Sequence, residues 1–377
     1  MSPSFNHVDL YLLNPGFGSE LTKLVLELEQ LRHQPVRRTT PDYIFQDLKG
    51  IIHMLESIGS ARIEGNNTTL LDYVDAKAEK TTLTDALQEI ANIETALNFL
   101  EDAIHKGEVI THVLIRKLHE LTVAGLKREG DKTPGEYREE NVVINRSDHL
   151  PPEHLAVKPY MDELLDFINR RDELQYDLIK ISTAHHRFAW IHPFTNGNGR
   201  VVRLLTYAML LSSGFDVASG GRVFNPTAVF CADRDHYYKL LNEADRGDLE
   251  AWCVYVLSGF KTSLEKINRL ADFDYFKTEI YDFVIVEARR RDILTDIQFR
   301  ILANAPIDQE SFKRNDIVES SRLTESQVTY GLGTLKDEGF IAPLNEHSKQ
   351  YTVQFSDNRL VRLLVIRLEE LGLILSV

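Results

Sequence analysis

The stretch "HPFTNGNGRVVRLLTYAMLLSSG" occupies residues 192–214 and sets a polar, glycine-rich turn directly before a long apolar run. Gly197 and Gly199 let the backbone turn tightly and bring its N–H groups close to a ligand, at the start of a helix whose first amides favour an anion. The helix itself, Gly199 to Ser213 with Gly214 ending it, is apolar on nearly every side and is therefore predicted to be central and buried. Arg200 and Arg203 share one face of its first turn, so two fixed cations can reach one phosphate chain. Such arginines are costly there without an anion. His192 could take a proton from a hydroxyl at neutral pH while the cradle neutralises charge on a phosphoryl group. A glycine-rich turn alone, or a single histidine, also suits a plain helix start in a core; the conjunction of these residues points to nucleotide chemistry.

The rest of the chain fits a folded protein. It has 377 residues, 43% hydrophobic and 27% charged, with a formal net charge of -14 that opposes nonspecific binding to nucleic acid or anionic membrane. Cys231 and Cys253 supply neither a disulfide framework nor a cysteine-rich metal site, which fits a reducing cytoplasm. The start, "MSPSFNHVDLYLLNPGFG", lacks the pattern of a signal peptide, and no apolar run of about 18 residues could span a bilayer.

Helical periodicity dominates from about residue 19 to 290, so the fold is expected to be mainly α. Between the turns "NPGFG" and "RRTTPDY" lies a first amphipathic helix. A second, "YIFQDLKGIIHMLESIGSARIEG", is stopped by Gly65, and helices near 82–106 and 110–126 follow. Residues 127–155 break the pattern around the β-like "NVVI", as a small exposed hairpin flap or an inert connector. "DLIKISTAHHRFAWI" is then a helix running into His192. Beyond residue 290, "DIQFRILANAP", "KRNDIVESSRL" and "TESQVTYGLGTLKDEGFI" read as three short helices and "APLNEHSKQYTVQ" as a two-stranded wing. That order resembles a winged helix-turn-helix.

"HPFTNGNGRVVR" closely resembles the signature of the Fic (filamentation induced by cAMP) family, His-x-Phe-x-Asp/Glu-Gly-Asn-Gly-Arg-x-x-Arg. "TPGEYREENVVI" at 133–144 looks like the approach to the family's target-docking flap, and "DRDHYYKLLNEADRGDLEAW" at 233–252 like its nucleotide-pocket helix. The resemblance implies a Fic-type helical core with a small β-hairpin flap at 91–265. Around it would stand an N-terminal helical region at 1–90, a linking helix at 266–290 and a winged-helix domain at 291–377. It also implies transfer of AMP from ATP to a Tyr, Ser or Thr hydroxyl of a target protein. By position, His192 would be the base and Phe194 a buried anchor. Gly197, Asn198 and Gly199 would form the anion hole, with Arg200 and Arg203 on the β- and γ-phosphates. Tyr237, Tyr238 and Asn242 would lie near adenine or ribose, although neighbouring helical positions cannot both face one pocket, so one tyrosine belongs to the core. Position 196 departs from the pattern. The family's Asp or Glu holds Mg²⁺, whereas Asn196 brings an amide oxygen without charge, implying weakened metal binding or a different reaction, such as phosphoryl transfer or removal of AMP.

"SARIEGN" at 60–66 places Ser60 and Glu64 on one face near a helix C-terminus, where the dipole disfavours a glutamate. Beside the other motif it resembles the family's inhibitory sequence, Ser/Thr-x-x-x-Glu-Gly/Asn, and implies that Glu64 pairs with Arg203 in place of the γ-phosphate. Self-association is expected on the same ground. Two rivals stand beside this reading. One is a metal-dependent hydrolase built on His185, His186 and His192, which the directions of adjacent helical side chains oppose. The other is a transcription regulator whose residues 291–377 bind DNA, opposed by Glu325, Asp337 and Glu338 against Lys336 on the helix that would enter the groove.

Overall fold

The computed structural model describes residues 4–33, 39–79, 83–128, 130–144, 147–214, 226–356 and 358–374. Arg37 and Arg38 of the "RRTTPDY" turn, Thr82, and Glu129, Asn145 and Arg146 of the 127–155 segment lie outside the described residues. The helices in chain order are α1 (Glu20–His33), α2 (Asp42–Ile63), α3 (Leu70–Glu79), α4 (Asp85–Ala103), α5 (His112–Val123), α6 (His154–Asn169), α7 (Asp177–Ile191), α8 (Asn198–Ser212), α9 (Pro226–Cys231), α10 (Arg234–Ala244) and α11 (Leu249–Leu270). Then come α12 (Phe273–Tyr275), which continues through a π-helical turn at Phe276–Tyr281 into α13 (Asp282–Arg290), and α14 (Asp296–Ala303), α15 (Arg314–Ser320), α16 (Glu325–Asp337) and α17 (Leu360–Glu370). The strands are β1 (Phe312–Lys313), β2 (Ile341–Pro343) and β3 (Gln350–Val353). Among the described residues no helix is long and apolar enough to cross a membrane.

Two compact units divide the chain, residues 1–35, 53–69 and 82–264 in one and 36–52, 70–81 and 265–377 in the other. In the first, α7 and α8 are buried along almost their whole length and pack on each other, with α6 against α7 and both α4 and α5 against α8. The all-round apolar sequence of α8 demands that place, because any exposed face would leave leucine or valine in water. Side chains fix the starts of the surrounding helices: Thr84, Thr111 and Asp233 each accept the backbone N–H three residues on. Gly65 and Gly214 end α2 and α8 with φ of 98° and 84°, the left-handed backbone that glycine adopts most readily.

Helix α2 contributes to both units. In its first half, the Asp47 carboxylate accepts the N–H groups of Phe355 (2.5 Å) and Ser356 (3.3 Å). In its second half, His53 Nε2 lies 3.0 Å from Glu101 Oε1, which also accepts the Tyr207 hydroxyl at 2.8 Å.

In the second unit, α14, α15 and α16 and the β2–β3 pair lie at the segments read as three helices and a hairpin. Thr295 and Thr324 form capping boxes with Gln298 and Gln327. Two features went unread. A third short strand, β1, pairs antiparallel with β3 to give the order β1-β3-β2, and α17 follows to pack on α13. The expected hairpin at 127–155 is corrected: its described residues hold no strand pair, only an isolated bridge between Ser4 and His149. "NVVI" has a strand's composition, but among the described residues no neighbouring strand pairs with it.

The crossing of α14 and α16 depends on Gly331, where a Cβ would collide with Ile301 Cδ1 and lie 2.7 Å from Ile297 Cγ2. Gly331→Val is expected to destabilise the second unit by about 1–3 kcal/mol through overpacking, measured as a lowered urea midpoint against wild type.

Candidate active site

The site is the connection between α7 and α8. The chain leaves α7 at His192 with φ of 51°, its N–H still donating to the Phe188 carbonyl at 3.0 Å. A histidine in the left-handed region is uncommon, and here it ends the helix and turns the ring out of the α7 register. Gly197, with φ of 74°, makes the second turn, where a Cβ would lie 3.1 Å from Val123 Cγ1. Between them Asn198 clasps the loop: its Oδ1 accepts the Phe194 N–H at 2.9 Å and its Nδ2 donates to the Phe194 carbonyl at 2.8 Å. Its side chain is therefore structural, and only its backbone faces a ligand. Phe194 is fully buried and stacks on His119 with 3.9 Å between ring centroids.

Sequence reading missed Arg138, which sits among acidic residues in "TPGEYREE" and looks like a surface charge. It is buried, and its guanidinium donates to the carbonyls of His192 (2.8 Å), Glu140 (3.0 Å) and Pro152 (2.6 Å), while its N–H donates to the Pro193 carbonyl at 2.9 Å. It ties the 138–152 segment to the backbone of His192. Burial lowers its pKa to about 10, which leaves it charged at neutral pH.

Glu64 lies over the first turn of α8, where a Cβ on Gly199 would collide with Glu64 Oε1. That oxygen accepts from Arg203 Nη2 at 2.8 Å; Ser60 accepts from Arg203 through its hydroxyl (2.8 Å) and its carbonyl (2.9 Å). The carboxylate thus stands where the helix amides and Arg203 would hold an anionic ligand. Arg203 Nη1 is buried with no hydrogen-bond partner among the described residues, 3.2 Å from the Cβ position of Gly199. Burial pushes the Glu64 carboxyl up, but Arg203 together with Arg200 and Arg234 outweighs it and holds the group below its ordinary range. Arg200 goes elsewhere than expected: its Nη1 meets Glu89 Oε1 at 3.1 Å on α4, so the two arginines diverge toward different carboxylates.

The side-chain amide of Asn196 donates to the Gly130 carbonyl at 3.0 Å, away from the Arg203 side of the loop. Among the described residues no group of three or more His, Cys, Asp or Glu side chains could hold a metal ion. With a neutral amide spent on the backbone, these residues do not fit a resident magnesium. His185 and His186 are engaged separately, the first with Thr206 (2.8 Å) and Tyr237 (3.0 Å), the second with Asp245 (2.8 Å). Tyr237 is consequently the core member of its pair. Tyr238 is half-buried with Arg234 5.6 Å from its ring centroid, and Asn242 lies 3.4 Å from the Ser147 hydroxyl.

A half-buried histidine ahead of a helix N-terminus, a buried arginine and a carboxylate bonded to it meet at this turn. Residues 109–210 match the model of the Fic/DOC family. It is similar to protein adenylyltransferase Fic of Nematostella vectensis, 30% identical over 230 residues that cover 59% of this chain and 48% of that one. Protein adenylyltransferase fic-1 of Caenorhabditis elegans is 27% identical over 179 residues, 47% of this chain and 33% of that one. The chain thus spans about half or less of the length of these curated relatives. In fold it is similar to a Fic family protein from Desulfovibrio desulfuricans, with a TM-score of 0.56 at 20% identity over 92% of this chain and 98% of that one. The C. elegans Fic-1 structure gives 0.52 at 21% identity over 66% of this chain and 71% of that one.

Burial lowers the His192 pKa to about 4, against the upward pull of a hydrogen bond to the Ala189 backbone. The neutral ring is thus favoured by the fold. In an unfolded chain the same ring takes a proton near its ordinary pKa of about 6.5, so its contribution to stability is full above that value and declines as pH falls toward 4. An NMR titration of the histidine ring signals is expected to place the His192 midpoint near 4. A midpoint at the ordinary value would show that burial does not control the base.

Proposed function

We propose that the chain is a protein adenylyltransferase that moves AMP from ATP to a hydroxyl side chain of a target protein and is held inactive by Glu64. The observation that carries this reading is the Glu64 carboxylate on the first turn of α8, bonded to Nη2 of Arg203, whose Nη1 has no hydrogen-bond partner among the described residues. An internal anion on a built anion site fits an inhibitor that displaces a phosphate. The family match and the named relatives supply the reaction class.

In the proposed step the target hydroxyl attacks the α-phosphorus, its proton passes to the neutral ring of His192, and pyrophosphate leaves. The backbone N–H groups of Asn198 and Gly199, at the α8 start, face the phosphate charge, and Arg203 takes the γ-phosphate once Glu64 withdraws. Arg200 supports the charge of the turn from its Glu89 pair. The half-buried Tyr238 and Asn242 lie toward the nucleoside, and Tyr237 packs behind them. Residues 138–144, anchored by Arg138, present the target segment, with Val143 exposed on its outer side. A cytoplasmic setting and self-association belong to the same reading. The outward residues of α16 include Glu325, Ser326, Thr329 and Tyr330, and Arg314 is drawn to Glu325 at 3.2 Å, a surface better suited to a protein than to DNA.

The test is intact mass spectrometry after incubation with ATP and Mg²⁺ or Mn²⁺. Glu64→Gly is expected to gain AMP on itself well above wild type, and adding His192→Ala to abolish the gain. A phosphate-sized gain would replace this reading with phosphoryl transfer, and no gain in either protein would refute it. Removing Glu64 also uncovers a buried guanidinium. The Glu64→Gly protein is expected to melt below wild type without nucleotide and to recover on adding ATP.

A further inference from the structure

Asn196 meets the turn that begins at Gly130 through several polar groups. Its side-chain amide donates to the Gly130 carbonyl at 3.0 Å and its backbone N–H to Asp131 Oδ2 at 3.3 Å, while its carbonyl accepts from His119 Nε2 at 3.2 Å. The other ring nitrogen of His119 accepts the Gly135 N–H at 2.9 Å, so the ring proton sits on the nitrogen facing Asn196. The Asp131 side chain is 2% exposed, and its second oxygen accepts the N–H and hydroxyl of Thr133 at 2.9 and 3.2 Å. A Cβ on Gly130 would collide with the Leu126 carbonyl, so only glycine presents its own carbonyl to Asn196 here.

We propose that Asn196 is a positioning residue that clasps the 130–133 turn to the catalytic loop, and that the buried Asp131 carboxylate is what requires a neutral amide at 196. An aspartate there could not donate to the Gly130 carbonyl and would set a second carboxylate beside one already out of water. The negative charge that the family pattern puts on the loop stands here on the turn that packs against it.

Three proteins test this, Asn196→Asp, Asp131→Asn and the double variant, each in the Glu64→Gly background. Hydrogen exchange read by mass spectrometry is expected to quicken about tenfold or more over residues 130–136 in Asn196→Asp, with α8 unchanged. The double variant, which again has one carboxylate and one amide, is expected to regain most of that protection, while Asp131→Asn alone loses part of it. Labelled-AMP incorporation is expected to follow the same order. Unchanged exchange in Asn196→Asp, a gain of activity in that variant, or a double variant no better than the worse single one each overturns the clasp. The activity arm rests on the adenylyltransferase reading; if no protein incorporates AMP, that reading fails and exchange alone decides the clasp.

Discussion

Arg200 and Arg203 stand 1% and 2% exposed on a helix that is otherwise apolar, and a buried guanidinium has to be met by an anion. That requirement organises the site. Glu89 reaches in from α4 to meet one cation, and Glu64 arrives from beyond the end of α2 to meet the other. The two partners differ in exposure. Glu89 is 6% exposed and held inside the helical packing, whereas Glu64 is 27% exposed at a helix end. On the proposed function, one carboxylate is part of the core and the other is exchangeable for phosphate.

Around those cations the loop is held almost entirely by side chains reaching backbone. Asn198 fixes Phe194, Arg138 fixes His192 and Pro193, and Asn196 with His119 fixes the neighbouring turn. Such a loop has no ladder to align it, so each of these donors replaces a strand pairing that the local sequence cannot make. The result is that His192 and the first turn of α8 hold their relative positions without a ligand.

The helical frame was legible because its signals are local. The apolar run after Gly199, the helix ahead of His192 and the stops at Gly65 and Gly214 all follow from periodicity and backbone preference. The Glu64–Arg203 pair was legible only through the family resemblance, and it is present at 2.8 Å. What escaped was every feature set by a distant partner. Nothing near Arg200 announces Glu89, more than a hundred residues earlier, and nothing near Asn196 announces Gly130 or Asp131. The hairpin was misread for a related reason: "NVVI" has the composition of a strand, but a strand exists only where another offers it hydrogen bonds. Of the neighbouring tyrosines, the His185 ring decided which one is core, and that ring lies on another helix.

On the proposed function, the strength of the block at Arg203 comes from tethering more than from the carboxylate itself. One carboxylate carries a single charge and a triphosphate several, so as free ligands the nucleotide would win the site. Glu64 follows a helix anchored at His53, whose Nε2 lies 3.0 Å from Glu101 Oε1, and this gives the carboxylate a local concentration no free anion matches. Protonation offers no escape at neutral pH, because the pair holds the Glu64 carboxyl below its ordinary range and the interaction is lost only as pH falls further into acid. On that reading relief has to come from displacing the end of α2, and the anchor at His53, rather than the ion pair at its tip, sets how hard that is.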